Sequence, residues 1–445
     1  MGVVEQIRDA GVVGAGGAGF PTHIKAGGKA EIVLANGAEC EPLLRVDRLM
    51  MQHYPQQVVR GLKAIMESTG AGSGVICLKK KYHDAIDALE QAISGEPNIR
   101  LFEMESYYPA GDEQQMVYEV TGKVVPTGGI PLDVGAVVCN VSTLINIANA
   151  MDGQPVIDKV VTVGGEVKRP VTLRVPIGTP IRLLVEAAQG PKSLDGYTIV
   201  IGGPATGKLC NDWDEPVTKT TGGVLVFPSD HPLIQKKTDQ KEVDWKLAKA
   251  VCCQCNICTQ ICPRNNLGLG VEPHKAMRAA FMSNGKLLGD YNGIFSCCDC
   301  GLCSYYACNF GLSPSRMMAR MKAGLRQNGV KPEKRIRTSV SQSLECTKVP
   351  TKRLMSRMGI LQYDTETPLD EQGVSVSIVQ IPLSMHIGAP SISVVKYGDR
   401  VAKGQLIAEI PEKSLGARIH ASIGGIVTNI TNNMIEISAQ KRDKE

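Results

Sequence analysis

Hydrophobic and polar positions change their period several times along this chain. Between residue 1 and about residue 155, short apolar segments alternate with segments whose apolar residues recur at helical spacing. The apolar segments are residues 31–36, 75–78 and 136–140, and the helical segments are residues 55–69, 84–93 and 114–121. Short hydrophobic strands that alternate with helices are typical of a mainly parallel sheet flanked by helices. The first part of the chain is therefore predicted to be an α/β domain.

The pattern beyond residue 155 predicts different kinds of module. Residues 160–227 have the spacing of β-strands, with one helical stretch at 181–188, and suggest a small β-grasp-like module. Two cysteine runs follow between helix-like stretches, and a glycine-rich β region at the end indicates a compact barrel or sandwich. The predicted division is an α/β domain at 1–155, a β-grasp domain at 156–235, a cysteine-rich helical domain at 240–330, a linker at 331–369 and a β-barrel-like domain at 370–445.

Composition places the chain among soluble, multidomain proteins of the cytoplasm. Its 445 residues are 43% hydrophobic and 21% charged, and no apolar stretch is long enough for a membrane-spanning helix. The first residues lack the features of a secretory signal. A net charge of +5 with scattered Lys and Arg argues against nucleic-acid binding. In a reducing compartment, the 15 cysteines are expected to be ligands or buried thiols rather than disulfides.

Eight of these cysteines form two runs with closely similar spacing. The runs are Cys252-x2-Cys255-x2-Cys258-x3-Cys262-Pro263 and Cys297-x2-Cys300-x2-Cys303-x4-Cys308. Three cysteines in succession at this spacing favour iron–sulfur clusters, because zinc sites usually have two separated C-x2-C pairs. A pair of zinc sites is the alternative. Cys253 and Cys298 do not have the spacing of ligands.

Both runs resemble the ligand pattern of bacterial two-cluster ferredoxins. In that family the fourth cysteine of each run binds the other cluster. The resemblance implies two [4Fe-4S] clusters with crossed ligand sets. One set would be Cys252, Cys255, Cys258 and Cys308, and the other Cys297, Cys300, Cys303 and Cys262. The second run departs from the family pattern, because its last spacing is x4 and Asn309 stands where a proline is expected.

A glycine-rich loop near the amino terminus could bind a phosphate. It contains Gly14, Gly16, Gly17 and Gly19 and is followed by Lys25. Glycines let backbone amides approach a phosphate, and a lysine can neutralise its charge. The loop lacks the strand–loop–helix context of a dinucleotide-binding fingerprint and the ending of a P-loop. A purely structural turn is therefore the alternative.

Three later motifs give the loop a more specific meaning. They are the segments 36–42, 108–113 and 140–144. In this order, the four motifs resemble the flavin- and NADH-binding subunit of respiratory complex I and, more closely, the RnfC protein of Rnf complexes. The resemblance implies a Rossmann-like domain that binds FMN. The implied FMN residues are Gly14, Gly16, Gly17, Gly19, Lys25, Asn36, Glu39, Asn140 and Thr143.

The same resemblance implies a site for NADH beside the flavin. Its residues would be Phe20, Glu41, Gly111, Asp112 and Glu113. Acidic side chains bind ribose hydroxyls in dinucleotide folds, although surface carboxylates are more commonly only solvated. Ala15 and Ala38 stand where the complex I protein has an arginine and an aspartate. A flavin next to two clusters would convert a two-electron hydride into single electrons.

The two β modules also resemble parts of these relatives. Residues 160–167 and 176–180 are similar to the soluble-ligand-binding β-grasp domain. The glycine pairs at 202–203 and 222–223 could line a ligand groove, but glycine pairs more often mark hairpin turns. Residues 382–405 resemble a lipoyl-like barrel-sandwich hybrid without an acceptor-lysine motif. His386 and His420 could be metal or corrin ligands, but a lone histidine among apolar residues is more often packed.

The order of the modules indicates one family. In RnfC proteins the barrel precedes the flavin domain, whereas here it is last, as in the cobalamin reductases of propanediol-utilisation microcompartments. That resemblance implies NADH-dependent reduction of cob(III)alamin and cob(II)alamin to cob(I)alamin. Implied partners are cobalamin, a corrinoid adenosyltransferase and microcompartment shell proteins, with a cytoplasmic location inside the microcompartment. The alternative is an NADH-oxidising or relay subunit of an Rnf-type membrane complex.

Overall fold

The fold is described from a computed structural model of the chain. It describes residues 2–238, 241–336 and 339–439. The predicted start of the cysteine-rich domain at residue 240, and the end of the predicted barrel domain beyond residue 439, lie outside the described residues.

The amino-terminal unit is a parallel sheet with helices around it. The strand order is Ile99–Met104, Ser73–Lys79, Ile32–Asn36 and Ala136–Asn140. Every neighbouring pair is parallel, so the predicted parallel sheet is confirmed. The helices of this unit are Val3–Asp9, Thr22–Ala26, Val46–His53, Pro55–Thr69, His83–Ala92, Glu113–Thr121 and Val141–Met151, with a 3-10 turn at Pro131–Val134.

Three helices of this unit were not predicted from the apolar pattern: Thr22–Ala26, Val46–His53 and Val141–Met151. Most residues of helix Val141–Met151 are buried, and its polar residues Ser142, Asn146 and Asn149 form only a narrow stripe, so its amphipathic period is weak. It packs closely on helix Pro55–Thr69 at Gly61, where a Cβ would collide with the Leu144 carbonyl. Strand Ile99–Met104, with two exposed residues, was also missed.

The second unit is a mixed β-sheet. Its strand order is Leu369–Asp370, Val171–Pro176, Asp158–Gly165, Gly223–Pro228, Tyr197–Ile201 and Lys208–Cys210. The predicted helix is present as Ile181–Ala187 and packs its buried side, including Ile181 and Leu184, on the sheet.

The cysteine-rich unit is made of short helices. Its helices are Pro232–Lys237, Lys241–Val251, Ile257–Gln260, Pro273–Met282, Asn292–Phe295 and Pro314–Gln327, with π-helical turns at Asn265–Leu269 and Cys303–Ala307 and a 3-10 turn at Gly285–Leu288. Helices Pro273–Met282 and Pro314–Gln327 correspond to the helix-like stretches expected beside the cysteine runs.

The segment predicted as a weakly patterned linker contains regular structure. Helix Thr351–Arg357 follows strand Val349–Pro350, which pairs antiparallel with Tyr107–Tyr108 of the first unit. Short 3-10 turns lie at Glu345–Thr347 and Leu361–Tyr363. These elements are too short for a periodic signal, and the strand exists because of a partner more than 200 residues away.

The last unit consists of two antiparallel sheets. The first has the order Ile378–Pro382, Met434–Ser438, Gly425–Ile430 and Arg400–Val401, and the second has the order Ile392–Ser393, Leu406–Glu409 and Ile419–His420. Val379, Ile435 and Ile437 belong to the same buried apolar cluster as Leu62 and Ile145 of the first unit. The barrel is therefore packed against the amino-terminal unit. Among the described residues, no helix combines the length and the apolar character required to cross a membrane.

Candidate flavin and iron–sulfur sites

The glycine loop, residues 14–19, is held from two sides at Ala15. The Ala15 amide donates to Thr143 Oγ1 at 2.9 Å, and the Ala15 carbonyl accepts from Lys159 Nζ at 2.7 Å. Gly17 is exposed, and a Cβ at this position would have no atom within 4 Å. The loop is thus a fixed backbone with an open face on which a ligand can lie.

Two asparagines end neighbouring parallel strands beside this loop. Asn36 and Asn140 are paired in register. Asn36 Nδ2 donates to the Gly111 carbonyl at 2.9 Å, and Asn140 Nδ2 donates to Asp47 Oδ2 at 2.8 Å. Asn140 also caps helix Val141–Met151 by accepting from the Ser142 amide. This carboxyl edge of the sheet is where open α/β folds bind ligands.

Two partly buried acids lie at the same edge. Glu39 Oε2 accepts from the Asp47 amide at 3.2 Å. Burial, followed by the nearby Asp47 carboxylate, raises the pKa of Glu39 to about 8. Burial also raises the pKa of Asp47, whose carboxylate accepts from Asn140 and Ser142. Burial and the neighbouring carboxylate therefore favour the neutral form of Glu39.

The Lys25 side chain reaches strand Ala136–Asn140 at the same edge of the sheet. Its Nζ donates to the Val138 carbonyl at 3.0 Å and to Glu113 Oε1 at 3.2 Å. Burial alone would lower the pKa of Lys25, but Glu113 raises it above the ordinary value. The structure thus brings together the loop, Lys25, Asn36, Glu39, Asn140 and Thr143. Backbone amides, a helix amino terminus and lysines form a set that fits a phosphorylated flavin.

The residues expected on the NADH side have several protein partners. Glu41 accepts from the Ala205 and Thr206 amides at 2.9 and 3.0 Å, which ties it to a turn of the second unit. Asp112 is bound to Arg264 of the cysteine-rich unit. The remaining three lie as follows: Phe20 is half-buried after the glycine loop, Gly111 binds Asn36 through its carbonyl, and Glu113 contacts Lys25.

The first group of cysteines surrounds Cys258. Burial, together with the neighbouring thiols of Cys252, Cys255 and Cys308, raises the pKa of Cys258 to about 12. The environment therefore disfavours a thiolate unless a cation is added. Cys308, whose spacing departs from the ferredoxin pattern, lies in this group.

The second group contains the remaining four cysteines of the two runs. Cys303 is buried and has Cys297, Cys262 and, from the first group, Cys258 as neighbours, and burial is the main reason why its pKa lies well above the ordinary value. Cys300 also neighbours Cys262 and Cys303. The structure thus brings Cys262 of the first run to the cysteines of the second.

Each group offers thiol ligands, which suit iron–sulfur clusters. In the part of the chain that the structure describes, no three His, Cys, Asp or Glu side chains converge as single-ion ligands. A [4Fe-4S] cluster binds each cysteine through a different iron atom, so its ligands need not converge on one point. Cys253 is exposed, whereas Cys298 lies close enough to Cys300 and Asp112 for hydrogen bonding.

A buried contact joins the flavin-site segment to the second cysteine group. Arg264 Nη2 lies 2.8 Å from Asp112 Oδ2, and the two side chains are 11% and 4% exposed. Asp112 Oδ1 accepts from the Gln114 and Gln115 amides and so caps helix Glu113–Thr121. Tyr108 donates to the Cys300 carbonyl at 2.7 Å.

Sequence reasoning missed Asp47, Ser142, Lys159 and Arg264. Asp47 lies between Arg45 and Arg48, in a sequence that resembles an exposed helix. Lys159 carried a usable signal, because it lies beside an apolar run, and the structure places both in the buried part of strand Asp158–Gly165. A lysine inside a buried strand indicates a specific partner.

Four family models match consecutive parts of the chain. They are the Nuo51 FMN-binding domain over residues 7–149, the SLBB domain over 160–207, the 4Fe-4S dicluster domain over 251–313 and the RnfC barrel sandwich hybrid domain over 362–443. These matches confirm the predicted fold class of a Rossmann-like flavin domain, a β-grasp insert, a helical two-cluster domain and a barrel-sandwich hybrid.

Similar proteins extend the comparison to whole chains. The chain is 41% identical to the cobalamin reductase PduS of Salmonella typhimurium over 97% of its length and 95% of that protein. It is 39% identical to the cobalamin reductase PduS of Citrobacter freundii over the same shares. The RnfC-type component of the Na(+)-translocating ferredoxin:NAD(+) oxidoreductase complex of Acetobacterium woodii is 34% identical, over 59% of this chain and 57% of that protein.

Fold and sites together define an oxidoreductase that uses flavin and iron–sulfur clusters. FMN and [4Fe-4S] clusters are its cofactors, and NADH as donor agrees with its relatives. The chain belongs to the cobalamin reductase PduS family, and the match to the Rnf-type protein is confined to part of the chain.

Proposed function

We propose that this protein oxidises NADH and reduces cobalamin to cob(I)alamin. The observation that carries the proposal is the end-to-end similarity to cobalamin reductases, 41% identity over 97% of the chain. One NADH supplies the two electrons that separate cob(III)alamin from cob(I)alamin. When bound, FMN accepts a hydride and releases single electrons, which is the form that iron–sulfur clusters carry.

The chain's own residues have distinct roles in this proposal. The glycine loop, Lys25, Asn36, Glu39, Asn140 and Thr143 hold FMN, and Phe20, Glu41, Gly111, Asp112 and Glu113 line the NADH side. Cys252, Cys255, Cys258 and Cys308 hold one cluster, and Cys262, Cys297, Cys300 and Cys303 hold the other. The shared neighbours within each cysteine group support these crossed sets.

Burial and the neighbouring Asp47 carboxylate raise the pKa of Glu39, so the site favours a neutral carboxyl that does not repel an anionic ligand. Lys25 pairs with Glu113. These residues bind and orient, and the electron transfer itself belongs to the cofactors.

The module boundaries and the cellular partners belong to the proposal as well. The boundaries are 1–155, 156–235, 240–330, 331–369 and 370–445. Cob(I)alamin is a strong nucleophile that requires immediate capture, which is the reason to expect a corrinoid adenosyltransferase as the consuming partner. A location inside a propanediol-utilising microcompartment, beside shell proteins, follows from the same family assignment.

Stopped-flow mixing tests whether cobalamin is the acceptor. The anaerobic holoprotein is first reduced with one equivalent of NADH and then mixed with cob(II)alamin, while flavin and cluster absorbance are recorded. Reoxidation of the cofactors at a rate that rises with cob(II)alamin concentration is the expected result. Cofactors that stay reduced with cob(II)alamin but are reoxidised by a ferredoxin would instead support the relay-subunit alternative.

A further inference from the structure

A lysine from the β-grasp unit reaches the glycine loop of the flavin unit. Lys159 lies in strand Asp158–Gly165 and is 7% exposed. Its Nζ donates to the Ala15 carbonyl at 2.7 Å. Among the described residues, Lys159 forms no ion pair with a carboxylate. An ammonium group buried with one neutral acceptor is costly, and an anion nearby would offset that cost.

The other side of the Ala15 peptide faces a helix amino terminus. The Ala15 amide donates to Thr143 Oγ1, in the first turn of helix Val141–Met151. Unpaired amides and the helix dipole make the start of a helix attractive to anions. The glycine loop therefore lies between a helix amino terminus and a buried cation, and both favour negative charge at the loop.

The nearby acids do not cancel this charge by contact. The Asp47 carboxylate accepts from Asn140 Nδ2 at 2.8 Å and from Ser142 Oγ at 3.0 Å. Burial and the nearby Asp47 carboxylate raise the pKa of Glu39, which favours its neutral form. Burial lowers the pKa of Lys159 to about 8, and the Asp47 and Glu39 carboxyls, which lie near the ammonium without contacting it, offset only part of that effect.

We propose that Lys159 is a positioning residue of the flavin site: it holds the glycine loop from behind and balances the charge of the FMN phosphate. The β-grasp unit thereby contributes to cofactor binding, and the loop gains a cation although Ala15 itself is neutral. This inference rests on the proposed function only in so far as FMN is the bound flavin.

Lys219 provides a matched control from the same unit. It is also buried, at 2% exposure, and donates to the Gly11 carbonyl at 2.6 Å and the Arg418 carbonyl at 2.7 Å. Lys219 therefore joins the first unit to the barrel, before the glycine loop begins. A loss of general stability would be common to both lysines, whereas selectivity for the phosphate would depend on Lys159 alone.

Flavin selectivity is the test. FMN is removed from the full-length protein, and the dissociation constants of FMN and riboflavin are measured by flavin fluorescence for wild type, Lys159→Met, Lys159→Arg and Lys219→Met. We expect Lys159→Met to weaken FMN binding about tenfold more than riboflavin binding, because the charge interaction with the phosphate is lost for FMN alone, whereas a loosened loop would affect both flavins alike. Lys159→Arg should retain most of the preference for FMN, and Lys219→Met all of it.

Other results would overturn the proposal. If Lys159→Met weakens FMN and riboflavin binding equally, so that the ratio of their dissociation constants stays at the wild-type value, Lys159 has only a structural role. If Lys159→Met does not fold, two other measurements test the proposal. One is the ratio of the FMN and riboflavin dissociation constants in Lys159→Arg. The other is the change in the thermal midpoint of the flavin-free wild type when inorganic phosphate is added. No stabilisation by phosphate would count against an anion site. A failure to reduce cobalamin would affect the proposed function alone, since flavin selectivity is measured without it.

Discussion

Arg264 and Asp112, which are 152 positions apart, form a buried ion pair between the cysteine-rich unit and the flavin unit. Arg264 is two residues beyond Cys262, and Asp112 caps the helix that follows the predicted flavin-site motif. The pair therefore fixes the second cysteine group against the flavin edge of the sheet. Burial raises the pKa of Asp112, but Arg264 outweighs that effect and the pKa is lower than usual.

Removing one partner of this pair should be strongly destabilising. Arg264→Met leaves the Asp112 carboxylate buried without its cation, which typically costs about 3–5 kcal/mol. We expect a large fall in the thermal midpoint of the holoprotein. Arg60→Met is the matched control, because Arg60 pairs with Asp152 at 2.9 Å while both side chains are about half exposed, and exposed pairs contribute about 1 kcal/mol or less. Equal effects of the two substitutions would contradict the role given to the buried pair.

Double cysteine variants distinguish crossed from sequential ligand sets. Cys258→Ser combined with Cys308→Ser removes two ligands of one crossed set, so one cluster and half of the iron should remain. Cys258→Ser combined with Cys262→Ser should remove both clusters. Electron paramagnetic resonance of the reduced protein and iron analysis provide the readout. If the sets followed the two runs, these two outcomes would be exchanged. Cys253→Ser should retain both clusters.

A methyl group on the open face of the glycine loop should interfere with flavin alone. Gly17→Ala places a Cβ where no protein atom lies within 4 Å, so the flavin-free fold should keep its thermal midpoint. The bound flavin should be lost or weakened, because close backbone approach is no longer available. Gly72→Ala, at an exposed position that is equally open, is the control. Normal flavin content in Gly17→Ala would mean that the flavin lies elsewhere.

The barrel should lose stability in mild acid through His420. Burial, and then Lys219 and Arg418, lower the pKa of His420 to about 4. The unfolded chain takes up a proton near pH 6.5 and the folded chain does not, so stability falls as the pH decreases from 6.5 towards 4. Between pH 7.5 and 5.5 the loss should be about 1.4 kcal/mol. Urea unfolding should show a smaller loss in His420→Gln, whereas the exposed His53→Gln should behave as wild type.

Local sequence patterns predicted several helices and strands, the two cysteine groups and the protein family. The helix at Pro55–Thr69 and the strand at Ala136–Asn140 were predicted with the ends that are observed. The cysteine spacing was sufficient to propose two four-cysteine groups, because ferredoxin loops impose that spacing on the chain. Motif order was sufficient to indicate the family.

Contacts between distant segments were not predictable from these patterns. The Arg264–Asp112 pair and the bond from Lys159 to the Ala15 carbonyl each join units that are separate in sequence. Glu41 was expected on the NADH side, and nothing local indicated that it would accept from the Ala205 and Thr206 amides. Such pairings depend on how the units pack against each other, and the hydrophobic periodicity within one unit does not indicate them.

The spectrum of cobalamin during anaerobic turnover tests the central claim most directly. The purified holoprotein is mixed with hydroxocobalamin and excess NADH, and the absorbance of cob(III)-, cob(II)- and cob(I)alamin is followed over time. The account predicts that cob(I)alamin appears only when protein and NADH are both present, and that Gly17→Ala does not form it. Bleaching of the flavin by NADH without any change in the cobalamin spectrum would contradict the account.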